Sequence, residues 1–111
     1  MSDVPYKAVE YIIAKAPAYA KAKADRVYLE EFKKSKKALL MKDALGNGIE
    51  AANAQEREAY ADPEYIALLR GLQEAIEVEE TLKWMLEAAR MKTDIWRTEQ
   101  ANIRLEVKST V

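Results

Sequence analysis

Along the second half of the chain, Leu68, Leu72, Ala75, Glu79, Leu82, Leu86, Ala89, Thr93, Trp96, Gln100, Ile103 and Val107 recur alternately four and three positions apart. That spacing keeps one mainly apolar stripe turned toward a neighbouring helix, the signature of a heptad seam. A second row, Trp84, Ala88, Met91 and Ile95, occupies a neighbouring face, so the apolar surface is wider than one partner helix covers. More than one helical neighbour is therefore expected. Alternation at a period of two, the mark of a strand, is absent.

The breakers divide the rest. Asp62-Pro63-Glu64 is a helix start, combining an N-cap oxygen, a proline at the first helical position and an acid at the positive end of the dipole. The helix it opens spans about 63–107. Ala18–Leu45 contains no breaker and is rich in strong helix formers, giving a helix over 18–45. Pro17 removes a backbone donor and should end or kink the helix before it, 4–16, which Ser2 or Asp3 can cap. Gly46 is placed to supply the left-handed residue just past the end of 18–45, with Gly48 loosening the connection. A short helix over about 50–60 follows, with Asn53 and Glu56 spaced like a reciprocal cap. The fold expected is all-α: one domain over 1–111, a long, coiled-coil-like antiparallel helical hairpin with a kinked N-terminal helix and a short helix in the connection.

If residues 45 and 63 flank the turn, Trp96 faces Tyr11, Ile12 and Ile13. Trp84 and Leu86 then face Ala18, Ala20, Ala22 and Ala24, large side chains against small ones. The same register brings Arg26 within reach of Glu79.

Composition narrows the chemistry. The chain has no Cys and no His, the residues that supply most thiol nucleophiles, general bases near neutral pH and zinc ligands. No catalytic residue, metal site or cofactor is assigned, and the protein is not expected to be an enzyme. Glu77, Glu79 and Glu80 lack the Glu-x-x-His partner that a bundle-core metal site uses and read as a solvated face. Gly46-Asn47-Gly48 follows no strand and reads as a turn, not a phosphate cradle. No apolar run reaches membrane-spanning length, nor does the N-terminus read as a targeting segment, so a cytoplasmic protein without a membrane partner is expected.

Charge is unevenly placed. Ala18–Leu45 carries eight Lys or Arg against four acids, whereas Ile49–Leu82 carries nine acids against two Arg. Lys33, Lys34, Lys37 and Lys42 could form a nucleic-acid patch, together with Arg90, Arg97 and Arg104, which recur every seven residues as the least compensated basic stripe. The preferred reading is that the hairpin neutralises its own lysines, with Lys33, Lys34 and Lys36 beside Gln73, Glu74, Glu77 and Glu79, because phosphate binding depends on uncompensated positive charge. Within the seam, Glu79, Thr93 and Gln100 either fix register or mark wet positions. Most aromatic residues fall at core spacing, while Tyr60 and Tyr65, flanking the Asp62-Pro63 start, are candidates for an exposed contact patch.

The stretches Tyr19–Lys33, Lys36-Lys-Ala-Leu-Leu-Met-Lys42, Gln55-Glu-Arg-Glu-Ala-Tyr60 and Trp96-Arg-Thr-Glu-Gln100 resemble a family of small phage-encoded helical proteins of unassigned activity, often encoded near phage recombination genes. The resemblance runs from about Tyr19 to Arg104 and implies a setting, the host cytoplasm, but no catalytic residue. Two functional expectations follow. One is a helical interaction module that self-associates through Trp84, Leu86, Met91 and Trp96 and meets a protein partner through Gln55, Arg57, Tyr60 and Tyr65. The alternative is a nucleic-acid-binding accessory of phage recombination or replication that uses the basic residues named above.

Overall fold

A computed structural model describes residues 3–110 and shows three α-helices: α1 (Val4–Gly46), α2 (Ala52–Ala61) and α3 (Pro63–Thr110). The fold is an all-α helical hairpin with a short helix in its connection, and no strand occurs among the described residues. Contacts fall into two units, residues 21–79 and the two terminal segments, up to Ala20 and from Glu80.

Helix α1 begins after Asp3, whose carbonyl accepts the Lys7 N–H at 2.9 Å and whose carboxylate meets the Lys7 ammonium at 3.4 Å. Ser2, the other candidate cap, lies outside the described residues. Pro17 does not end the helix, and the two helices expected on either side of it are one. Pro17 and Ile13, the residue four before it, are both exposed. The carbonyl that loses its amide partner therefore faces water, which limits the cost of the missing hydrogen bond.

At the other end of α1 the left-handed residue is Gly48, with φ at +92°, not Gly46, which is still helical. The Ile49 N–H donates to the Ala44 carbonyl at 3.0 Å and the Gly48 N–H to the Leu45 carbonyl at 3.1 Å. These are the paired six-to-one and five-to-two bonds of a Schellman motif, which satisfies carbonyls the helix end would leave orphaned. Ala44 is buried and Ile49 half-buried, so the apolar contact that accompanies the motif is in place.

The reciprocal Asn53/Glu56 cap does not form. Helix α2 starts two residues earlier than that cap requires, with Ala51 at the N-cap and no side-chain cap bond. Gln55 instead turns back, its amide donating to the Ile49 carbonyl at 2.9 Å and the Glu50 carbonyl at 3.2 Å. The start of α3 is as the sequence demands: the Asp62 carboxylate accepts the Glu64 N–H at 2.8 Å, and the Asp62 N–H closes α2 by donating to Ala59 at 3.3 Å.

Within the unit of residues 21–79, α2 lies against the last turns of α1. Leu40, Asp43, Ala44, Asn47 and Ile49 share one cleft with Glu58 and Asp62. Because α2 covers that end, α3 starts beside Lys36 and not beside Leu45, and the register moves by about one to two helical turns from the one expected. Lys36 accordingly pairs with Glu64. Ala22 and Leu29 share a cleft with Gly71, Ala75 and Val78. In the other unit, Tyr11 and Ala8 line a cleft with Met85, Ala88 and Ala89, where Trp96 was the neighbour expected of Tyr11.

The seam is buried or half-buried as expected through Gln100, but Ile103 and Val107 are exposed. Leu72, Glu79 and Ala89 are buried, and Leu68, Ala75, Leu82, Leu86, Thr93, Trp96 and Gln100 are half-buried. It also includes Tyr65, seven residues before Leu72 and only 6 % exposed. The buried set is otherwise dominated by alanines, Ala8, Ala22, Ala44, Ala59 and Ala89, and no large side chain among the described residues is fully buried.

Candidate functional surfaces

Among the described residues, Arg26 in α1 and Glu79 in α3 form the one long-range ion pair with a buried carboxylate. The guanidinium donates from Nε and, at 3.0 Å, from Nη2 to the two oxygens of Glu79, and its Nη1 holds Glu30 at 3.0 Å. Two parallel donors on one carboxylate fix geometry as well as charge. Glu79 and then Glu30 hold the Arg26 guanidinium above its already high ordinary value, so it stays charged throughout. Of the two readings of the polar seam, register-setting fits Glu79, whose side chain is 8 % exposed and so is not at a wet position.

Among the described residues, Lys34, Lys36 and Lys37 are paired, by other acids than the register implied, and Lys33 is not. Lys34 pairs within its own helix with Glu31 at 3.3 Å, Lys36 with Glu64, and Lys37 with Glu56 at 3.1 Å. Lys37 Nζ also sits 4.7 Å from the centre of the Tyr60 ring, which tilts against Tyr65 at 5.5 Å. Tyr60 and then Glu56 push the Lys37 ammonium up, and Lys37 and then Tyr60 hold the Glu56 carboxyl below the usual range. Glu64 does the same for Lys36, raising it. Lys33 is half-buried and Lys42 exposed, and neither forms an ion pair among the described residues.

The arginine stripe is less bare than the sequence suggested. Arg90 meets Glu87 at 3.5 Å and Arg97 meets Asp94 at 3.8 Å, each three residues back on the same helix. Arg104 has Ala101 at that position and makes no ion pair among the described residues.

The partner-facing set separates. Tyr65 is a seam residue and buried, so it is not the exposed contact proposed for it. Extending the heptad one step back from Leu72 would have identified it. Gln55 is half-buried and engaged in the turn, which leaves Arg57 exposed and Tyr60 46 % exposed on α2.

The assembly set separates as well. Leu86 and Trp96 lie in the seam, half-buried, and the Trp96 indole N–H is buried without a hydrogen-bond partner. Trp84 and Met91 are 60 % and 52 % exposed. Trp84 therefore does not pack into the alanine-rich arm. It stands two residues from the seam positions Leu82 and Leu86, about 200° round the helix, so its row is opposite the seam and not adjacent to it. Ala88 and Ile95 complete that row, both exposed, and the Lys83 ammonium rests 5.8 Å from the centre of the Trp84 ring.

Clefts beside the seam have volumes of about 520 Å³ in the terminal unit, rimmed by Lys7 and Lys92, and about 370 Å³ in residues 21–79. Sequence reasoning missed both, although runs of alanine and glycine on facing helices leave such gaps. Among the described residues, no three acids converge as metal ligands and no helix is long and apolar enough to cross a membrane. No protein-family model matches the chain, and neither the curated proteins nor the solved structures include one similar to it.

Proposed function

We propose that this chain is a non-enzymatic helical interaction module, phage-encoded, that self-associates through the outer face of α3 and meets a protein partner through α2. The observation that carries the reading is the exposed row Trp84, Ala88, Met91 and Ile95 on a chain whose described residues include no fully buried large side chain. Apolar rows of this kind on a soluble helix mark interaction surfaces. Association would supply the burial that an alanine-dominated seam does not. On α2, Arg57 and Tyr60 remain available to a partner, and Gln55 holds the turn that presents them.

Light scattering coupled to size exclusion tests this directly. The wild-type chain should elute as a dimer or larger species, and Trp84→Ser with Met91→Ser should return it to a monomer of unchanged helicity. A wild-type monomer at all concentrations and salts would remove the proposal.

A nucleic-acid-binding accessory is the second reading. It draws support from Tyr28 and Phe32, whose rings stack on α1 at 5.8 Å and 7° with Tyr28 64 % exposed, and from the uncommitted Lys33 and Lys42. Exposed aromatics beside lysines are what single-strand binding uses. Lys34, Lys37, Arg90 and Arg97 are already engaged by acids, which weakens this reading. A filter-binding titration showing affinity that falls steeply with salt would favour it over the first.

A further inference from the structure

The seam of α3 outlasts its burial. Leu72 and Ala89 are 7 % and 6 % exposed, yet Ile103 and Val107, which continue the same a and d positions without a break in spacing, are 50 % and 58 % exposed. Two turns of correctly patterned seam thus lie open among the described residues. A helix end with bare apolar residues and no packing frays in water, since helical stability comes mainly from a covered face.

The charges beside these two turns select an occupant. Counting Gln100 and Val107 as a positions and Ile103 as d, the flanking e position is Arg104 and the flanking g positions are Glu99 and Glu106. Arg104 is the member of its stripe without an acid three residues back, where Arg90 has Glu87 and Arg97 has Asp94. In a parallel pair of helices, a g residue meets the e residue of the next heptad on its partner, which is five positions on. Glu99 and Arg104 are five apart. An antiparallel pair would set e against e and g against g, placing Arg104 near Arg104 and glutamate near glutamate.

We propose that residues 99–107 of α3 are a docking surface for the same residues of a second copy of this chain, laid parallel and in register. Ile103 and Val107 stack on their counterparts across the two-fold axis, and Glu99 of each copy pairs with Arg104 of the other. The inference rests on the self-association proposed above: the outer row supplies most of the affinity, and the open end of the seam adds a parallel contact to another copy.

The chain has no native cysteine, so single cysteines report proximity cleanly. Under mild oxidation, the Ile103→Cys protein should form an interchain disulfide far faster than Val27→Cys, at an exposed position of α1 outside both proposed contacts. In wild-type background, Glu99→Arg and Arg104→Glu should each weaken the dimer about tenfold through two symmetric pairs, and the double exchange E99R/R104E should restore it. All four positions are exposed, so helicity by circular dichroism should not change. Crosslinking at Ile103 no faster than at Val27, or a double exchange as weak as the singles, would overturn the parallel tip while leaving self-association standing. A strictly monomeric chain would overturn both.

Discussion

Glu79 occupies a seam position where an apolar residue would normally sit, and Arg26 is what keeps it there. The pair is bidentate and the carboxylate is buried, so removing only the arginine strands a charge in a place water does not reach. Arg26→Met should therefore lower Tm clearly, whereas Arg26→Met combined with Glu79→Leu should recover the loss or exceed wild type. Thermal melts of the three proteins decide this, and a double variant as unstable as the single one would show that the pair contributes net stability. Register is where the pair has its effect: Leu at position 79 packs equally well one heptad away, but a carboxylate has a single guanidinium to meet.

At the scale of elements, the connection between α1 and α3 depends on two small features. Gly48 has the positive φ that closes α1, and a Cβ there would meet no neighbour, so the cost of substitution is backbone strain alone. Gly48→Ala should destabilise by about 1 kcal/mol. Gly46→Ala, at a helical residue with open space around it, should be neutral or stabilise by about 0.5–1 kcal/mol. Denaturant titrations of the two variants should move in opposite directions.

Helix α2 is tethered to α1 through Lys37 with Glu56 and Tyr60. Glu56 is held below the ordinary carboxylate range by Lys37 and then Tyr60, so its contribution is complete above the unfolded value and disappears as pH falls below about 4. Lys37 is raised by Tyr60 and then Glu56, so its share is complete below the unfolded lysine value and fades only as pH climbs beyond about 10. Hydrogen exchange at the Ala59 and Tyr60 amides should accelerate on the acid side, relative to intrinsic rates, and Glu56→Gln should flatten that dependence.

For the molecule as a whole, the balance is between a core made mostly of alanine and a large apolar surface left in water. Burying an alanine methyl contributes on the order of 1 kcal/mol, far less than a leucine or an indole. Stability should then rise with protein concentration, because association adds the missing burial by mass action. Tm measured across two decades of concentration should increase for the wild type and stay flat for the Trp84→Ser/Met91→Ser protein.

Helix content, the Asp62-Pro63 start and the heptad seam through Gln100 were all legible from residue order. Each depends on spacing or on a side chain acting within a few residues, and a 3.6-residue period reports those directly. Only tertiary structure decided the remainder. Where α3 begins along α1 is set by α2 packing on the last turns of α1, a contact between segments whose local sequence says nothing of each other. That displacement gave Lys36 and Lys37 to Glu64 and Glu56 and left Ile103 and Val107 uncovered. Periodicity states which residues share a face; it does not state what that face meets, because register is a sum of non-local contacts and a shift of one turn preserves the pattern while changing every partner.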